Sequence, residues 1–128
     1  MNSPIVIIEN FTEEELKCKC GCNRFNYDNE FLIKLQTFRY LLNKSMTVTS
    51  GCRCIEHNKE VKGKKNSCHI CEGKKTTASD VTNNNCEEIY NLACKLEFFN
   101  EVLFYKKLNF VHLGIDRNQT GNCYNIIY

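Results

Sequence analysis

The chain has 128 residues, a formal net charge of +2 and a hydrophobic fraction of 42%, which is typical of one folded globular domain and excludes a disordered, highly charged chain. A net charge this small supplies no concentrated basic surface, so it does not by itself predict a nucleic-acid or anionic-membrane partner. The first residues hold one short apolar run, Ile5 to Ile8, with no basic region before it. We therefore expect no signal peptide, no membrane span, and synthesis in the cytoplasm.

The first part of the chain predicts two helices. Thr12 and Glu15 have the spacing of a capping box, so we expect a short helix that begins in "FTEEEL" and ends at Gly21. A longer helix is predicted from Asp28, because apolar residues recur there at helical spacing. That apolar stripe consists of Phe31, Leu35, Phe38 and Leu42.

The middle of the chain predicts two strands on either side of a lysine-bearing loop. "MTVTS" at 46–50 alternates and is β-branched, which favours a strand, and "CIEHNKEV" at 54–61 favours a brief helix. Residues 62–75 predict a loop. "TTASDVT" at 76–82 is again strand-like, and it carries Asp80.

The last part predicts one helix and two strands. "NNNCEEIYNLACKLEFF" at 83–99 sets apolar residues at helical spacing, behind asparagines able to cap the helix and acidic residues suited to its N-terminus. "NFVHLGI" at 109–115, which contains His112, and "CYNIIY" at 123–128 predict two strands joined by a hairpin-like turn. With no internal repeat or linker, these elements predict one α+β domain over residues 1–128.

The ten cysteines, in a chain without an export signal, favour reduced thiols or metal ligands over disulfides. Two groups alternate along the chain, and a CxxC pair straddles His69. The groups are Cys18, Cys20 and Cys22; Cys52 and Cys54; and the pair Cys68 and Cys71. A second, structural zinc held by thiolates, disulfides between loops, and free thiols all stay open, since CxCxC is not the paired CxxC pattern of a zinc ribbon.

Two imidazoles and one carboxylate are a sufficient ligand set for a catalytic zinc, which takes three protein ligands and leaves a fourth position for water. His69, Asp80 and His112 supply such a set. A lone histidine is more often a hydrogen-bonded core or surface residue, so composition alone does not choose between the two interpretations.

Four short segments occur in an order that favours the zinc interpretation. They are "SGCR" at 50–53, "NSCH" at 66–69, "ASD" at 78–80 behind Gly73, and "VH" at 111–112. Together with the opening "FTEEELKCKCGC", they resemble the zinc D-alanyl-D-alanine carboxypeptidase family of the M15 peptidases, whose catalytic domain shares its fold with the hedgehog signalling domain. The resemblance covers nearly the whole chain. It implies a small antiparallel sheet that carries a zinc site, with helices packed on it.

By this resemblance, the chain is a metallopeptidase with one catalytic Zn²⁺ held by His69, Asp80 and His112. The implied reaction is hydrolysis of a peptide bond in the stem peptides of peptidoglycan, either at a terminal D-Ala or at an internal bond. Arg53 would stabilise the developing oxyanion or hold a substrate carboxylate, and Ser67 would hydrogen-bond the peptide. Without a signal peptide, such an enzyme fits a phage-type lysin released by other means, or a small bacterial enzyme that processes the wall.

The general base is a point where the sequence departs from the family pattern. Several members carry an acid or a histidine shortly before the last ligand, and here Asn109 precedes His112 instead. Asp116 is the first candidate for this role. Glu97, Glu101 and a zinc-bound hydroxide acting unaided are the alternatives.

A second departure is the interval between His69 and Asp80, which is longer than in the family pattern. We expect the extra segment, "CEGKKTT" at 71–77, to bulge out before the strand, since added loop length costs little entropy. If this segment covered the metal, it would change how substrate reaches the site.

Two other function classes compete with the peptidase. A catalytically silent, zinc-bearing binding domain of the same fold would need no general base. A cysteine-zinc nucleic-acid module is suggested by the lysines of the loop region, but glutamates interrupt them and no aromatic side chain lies among them to stack on a base, so we expect a solvated loop and no nucleic-acid partner. The lysines are Lys59, Lys62, Lys64, Lys65, Lys74 and Lys75, and the glutamates are Glu56, Glu60 and Glu72.

Overall fold

The computed structural model describes residues 9–128, so the apolar run Ile5 to Ile8 lies outside the described residues. The helices are α1 (Glu13–Leu16), α2 (Asn29–Leu42), α3 (Ile55–Glu60) and α4 (Cys86–Leu96). The strands are β1 (Thr47–Ser50), β2 (Ala78–Thr82), β3 (Glu101–Tyr105), β4 (Phe110–Gly114) and β5 (Cys123–Ile127). The predicted α+β class is confirmed. Within residues 9–128, no helix combines the length and apolar character needed to cross a bilayer.

The capping box predicted for α1 is confirmed, but the predicted end of the helix is wrong. The Glu15 backbone N–H donates to Thr12 Oγ1, and the Thr12 N–H donates to Glu15 Oε1, both at a distance of 3.1 Å. The helix ends at Leu16 rather than at Gly21, because Lys17 is already extended, with ψ near 165°. The Leu16 carbonyl then accepts the Cys52 N–H at 2.8 Å, so the end of α1 is fixed to the segment that follows β1.

Helix α2 forms where the apolar stripe predicted it. Asp28 caps its N-terminus by accepting the Phe31 N–H at 3.0 Å, and Asn43 ends it in the left-handed conformation, with φ 55°. Phe31, Leu35 and Phe38 are fully buried. Burial of a side chain of this size contributes about 1.5–3 kcal/mol, so the stripe is a large part of what holds α2 to the domain.

The five strands form one sheet in the order β1-β2-β4-β3-β5. The pairs β1/β2, β2/β4 and β3/β4 are antiparallel, whereas β3 and β5 run parallel. The expectation of a purely antiparallel sheet is therefore wrong at one pair, and the sheet is mixed.

The predicted hairpin between residues 109–115 and 123–128 is also wrong. β4 forms its hairpin with β3, which the sequence pattern did not identify, and the chain then crosses to the far side of β3. Asn100 holds this crossing in place. Its side chain accepts the Asp116 N–H and donates to the Asp116 carbonyl, each at 2.8 Å, and its carbonyl accepts a bond from Gln119.

The two faces of the sheet have different roles. One face joins α2 and α4 in the core through its buried aliphatic and aromatic side chains, which are Val81, Val102, Phe104, Val111 and Leu113. Asp80, His112 and Leu103 are direct neighbours across β2, β4 and β3, so their side chains share the opposite face. That opposite face carries the candidate site.

Candidate metal centre

Three potential ligand atoms converge on the face of the sheet away from α2 and α4. His69 Nε2 lies 3.2 Å from Asp80 Oδ1 and 3.2 Å from His112 Nδ1, and His112 Nδ1 lies 3.0 Å from Asp80 Oδ1. Asp80 and His112 meet because they are paired across β2 and β4. His69 comes from the preceding loop, which is fixed by the bond from the Arg53 N–H to the His69 carbonyl at 2.8 Å.

The second polar atom of each of these side chains already has a partner. His69 Nδ1 lies 2.8 Å from the Gly51 carbonyl, to which it can only donate, so its proton is on Nδ1 and its lone pair is on Nε2. His112 Nε2 lies 3.1 Å from Glu101 Oε1, and Asp80 Oδ2 accepts from Arg53 Nη2 at 3.2 Å. Such partners orient the ligands of metal sites and fix their tautomers. The donor set therefore fits a zinc ion held by His69, Asp80 and His112.

The pKa values of the three residues indicate which of them carries a proton that a metal ion would displace. Burial lowers the pKa of His69 below its ordinary range, so its imidazole is neutral. Burial opposes ionisation of Asp80, but its contacts with the two histidines outweigh that effect and hold its pKa below the usual value. Burial also opposes protonation of His112, yet its bonds to Asp80 and Glu101 raise its pKa to about 9. In the metal-free protein, His112 is thus an imidazolium between two carboxylates, and metal binding releases that proton.

Arg53, predicted as a catalytic and substrate-binding residue, lies beside the three ligands. Its guanidinium donates to Ser50 Oγ at 3.1 Å, to Asn58 Oδ1 at 3.3 Å and to Asp80 Oδ2 at 3.2 Å. These bonds use three of its five N–H groups. Its side chain is 13% exposed, so the charge is held in a fixed place at the wall of the site.

Ser67, predicted to bind substrate, has a local bond of its own. Its Oγ accepts the His69 N–H at 3.2 Å, which orders the turn that delivers His69. The Ser67 O–H remains able to donate, and the residue lines the same cavity as His69 and Arg53.

The three ligands and Arg53 line an open cavity of about 700 Å³. Besides the ligand Asp80, its wall includes the acidic residues Glu101 and Asp116. The extra segment 71–77 is not part of this wall, so it does not cover the ligands. It is fixed instead to the segment before α2, where Asn26 Nδ2 donates to the Lys74 carbonyl at 3.2 Å.

The candidates for the general base lie in different surroundings. Asp116 Oδ1 accepts the Asn118 N–H at 3.0 Å in a turn, and its carboxylate lies within 4.8 Å of Glu101 Oε and Cys68 Sγ. Glu101 contacts His112 directly, whereas Glu97 is exposed at the end of α4. Asn109 is exposed in the turn between β3 and β4, with φ 56°.

Sequence reasoning missed one support of this site. Glu101 was considered as a base and not as the partner of His112, because β3 was not identified. The alternation of "EVLFY" was the available signal, since it buries Val102 and Phe104 and turns Glu101 the other way. Lys62, Lys64 and Lys65, predicted as solvated loop residues, are exposed and border the cavity.

The family of the chain follows from a comparison with known proteins. A search of curated proteins gave no significant match. The family model described as Peptidase M15 matches residues 9–114, which include the three candidate ligands, Arg53 and Ser67, and end before Asp116. Peptidases of this family are zinc-dependent metallopeptidases. The match spans most of the chain, and the chain therefore belongs to the Peptidase M15 family.

Proposed function

We propose that this protein is a zinc-dependent peptidase that hydrolyses a peptide bond in peptidoglycan stem peptides. One observation carries the proposal. Three potential ligand atoms lie within 3.2 Å of one another on the wall of an open cavity, and the remaining polar atom of each ligand is bound by Gly51, Arg53 or Glu101. Membership of the M15 family supports a metallopeptidase, and the open cavity supports a substrate of peptide size.

A zinc ion at His69, Asp80 and His112 would lower the pKa of a bound water to ~7 and polarise a carbonyl oxygen. The chain itself supplies the rest of the chemistry. Arg53 keeps two N–H groups for a substrate oxygen, and in this position it would neutralise an oxyanion or hold a carboxylate. Ser67 would donate to the peptide, which orients the bond to be cut.

The rim of the cavity favours an anionic peptide. Lys62, Lys64 and Lys65 border it on the side of Ser67, and Arg53 adds a fixed positive charge within it. A stem peptide ends in a carboxylate, so these cations would attract the substrate and orient its C-terminal end. The enzyme would reach its substrate by release in the manner of a phage-type lysin, or as a cellular enzyme that processes the wall.

We assign Asp116 as the proton acceptor and Glu101 as a positioning residue. Glu101 is bound to the nitrogen of His112 that faces away from the other two ligands, so its task is to orient the imidazole. Asp116 keeps Oδ2 available, since its bond to Asn118 uses Oδ1. It lines the cavity together with Asp80 and Glu101, and a water molecule could relay a proton to it.

A silent binding domain of the same fold is the second candidate. The observation that favours it is the position of Asn109, which is neutral and exposed in a turn, where several family members carry an acid or a histidine. A protein of this kind would bind stem peptides at the cavity and leave them intact.

Incubation of the zinc-loaded protein with a purified stem pentapeptide and with muropeptides, followed by mass spectrometry, tests these alternatives. The peptidase proposal expects a cleaved product with the wild type and none with His69→Ala. The product mass also identifies the bond, since loss of one D-Ala differs from an internal cut. Binding without cleavage would favour the silent domain. If the protein neither binds nor cleaves these peptides, stem peptides are rejected as its ligand.

A further inference from the structure

We propose that Cys18, Cys20, Cys22 and Cys54 bind a second zinc ion in a closed, structural site. These residues form the four-cysteine cluster. Their Sγ atoms all lie within 4.8 Å of one another. Three come from the segment that follows α1, and the fourth comes from the N-terminus of α3. The cluster shares no residue with the His69 site, so the proposal stands independently of the peptidase proposal.

The sulfur spacing fits a tetrahedral metal site. Cys20 Sγ lies 3.6 Å from Cys18 Sγ and 3.6 Å from Cys54 Sγ. Zinc–sulfur bonds of about 2.3 Å in a tetrahedron place neighbouring sulfurs about 3.8 Å apart. A disulfide would need about 2.05 Å. All ten cysteines lie within residues 9–128, and none is bridged to another.

Backbone donors point at two of the sulfurs. The Cys54 N–H donates to Cys18 Sγ, and the His57 N–H donates to Cys54 Sγ, both at 3.3 Å. Bonds of this kind stabilise thiolates, which are the form that ligates zinc. Cys18 and Cys54 are buried while Cys20 and Cys22 are exposed, so the ion would sit at the surface end of a partly buried site.

The local chain conformation lets one short segment supply three ligands. Gly21 has φ +96°, a left-handed conformation that side-chain-bearing residues rarely adopt, and it reverses the chain between Cys20 and Cys22. The Cys18 N–H also bonds to the Arg24 carbonyl at 2.9 Å, which closes the loop around the sulfurs.

The metal would hold together two parts of the domain that have little regular structure of their own. Helices α1 and α3 have 4 and 6 residues, which is too short for either to be stable alone. Cys54 directly follows Arg53. An ion bound by the cluster would therefore fix the segment after α1 against the one that carries Arg53, and would help to hold that guanidinium beside Asp80.

Zinc content per chain, combined with X-ray absorption at the zinc edge, tests this proposal under reducing conditions. We expect about two zinc ions in the wild type and about one in both Cys20→Ser/Cys22→Ser and His69→Ala. The ion kept by His69→Ala should show only sulfur ligands, near 2.3 Å. Cys94→Ser/Cys123→Ser, which alters two cysteines outside the cluster, should keep both ions.

Each outcome decides between the two sites. A wild type that binds one ion, lost in His69→Ala and kept in Cys20→Ser/Cys22→Ser, would overturn the four-cysteine site and leave the peptidase centre intact. One sulfur-bound ion that survives His69→Ala would support the cluster while contradicting the peptidase centre. If Cys20→Ser/Cys22→Ser does not fold, the absorption spectrum of His69→Ala still decides, because without the cluster site that variant shows no zinc with only sulfur ligands.

Discussion

Replacing Glu101 with glutamine separates the orientation of His112 from the charge that holds its proton. In the wild type, Glu101 Oε1 lies 3.1 Å from His112 Nε2, and the Glu101 side chain is 20% exposed. Glu101→Gln keeps an oxygen that can accept a hydrogen bond from His112 Nε2. It removes the negative charge that makes the imidazole a stronger ligand. Loss of such a partner lowers metal affinity about 10- to 100-fold, which corresponds to about 1.4–2.7 kcal/mol.

The pH at which this loss is measured matters, because the same carboxylate also raises the pKa of His112. With that pKa at about 9, a proton competes with zinc for Nδ1 at neutral pH. The competition weakens apparent affinity about 100-fold at pH 7, or about 2.7 kcal/mol, and disappears above the pKa. In Glu101→Gln the pKa of His112 falls, so less of the proton competition remains. We therefore expect the full loss of affinity above the pKa of His112 and a smaller loss at neutral pH.

Zinc affinity is measured by competition with a chromophoric chelator, once at neutral pH and once above the pKa of His112. The zinc site that is lost in His69→Ala is the one to which this affinity refers. Glu97→Gln is the matched control, since Glu97 is exposed and bonds to Asn122 rather than to a ligand. An unchanged affinity of Glu101→Gln above the pKa of His112 would refute the positioning role. An equal loss at both pH values would refute the reasoning about the proton.

Three further predictions test other parts of the structure. Arg53→Lys should retain zinc but lower kcat by roughly 10²–10³, as measured by stem-peptide hydrolysis; full activity would show that the guanidinium is not needed. Asp116→Asn should slow hydrolysis with no change in zinc content, and unchanged turnover would leave Asp116 with only its role in the turn. Phe38→Ala should lower the free energy of unfolding by about 3–5 kcal/mol in urea denaturation, because Phe38 is fully buried against Phe99. Tyr40→Ala, at a side chain that is 76% exposed, should change it by less than about 0.5 kcal/mol, and similar losses in the two variants would contradict the described core.

The features that the sequence predicted well depend on neighbours along the chain. The capping box of Thr12 and Glu15 and the apolar stripe of α2 are set within a few residues, so periodicity and residue type suffice to find them. The candidate ligands were proposed from residue type and order, and the structure brings His69, Asp80 and His112 together.

The features that were missed depend on pairing between distant strands. Only Asn100 separates β3 from the predicted helix segment that ends at Phe99, so the short alternation of β3 was not recognised, and its hairpin with β4 was assigned to β5 instead. The partnership of Glu101 with His112 exists only because Leu103 pairs with His112, which places Glu101 on the same face. The grouping of Cys54 with Cys18, Cys20 and Cys22 likewise needs the contact between α1 and the segment after β1, which no local pattern encodes.

Gly51 gives the centre an unusual form of mutational robustness. The proton of His69 is placed by a main-chain carbonyl, so most substitutions nearby leave that acceptor present and the lone pair of Nε2 aimed in the same direction. The weakness is concentrated in one position instead, because a Cβ on residue 51 would collide with the Leu16 carbonyl and the Tyr27 hydroxyl. A residue that contributes no ligand atom is thus the place where a single methyl group would displace a histidine from the centre.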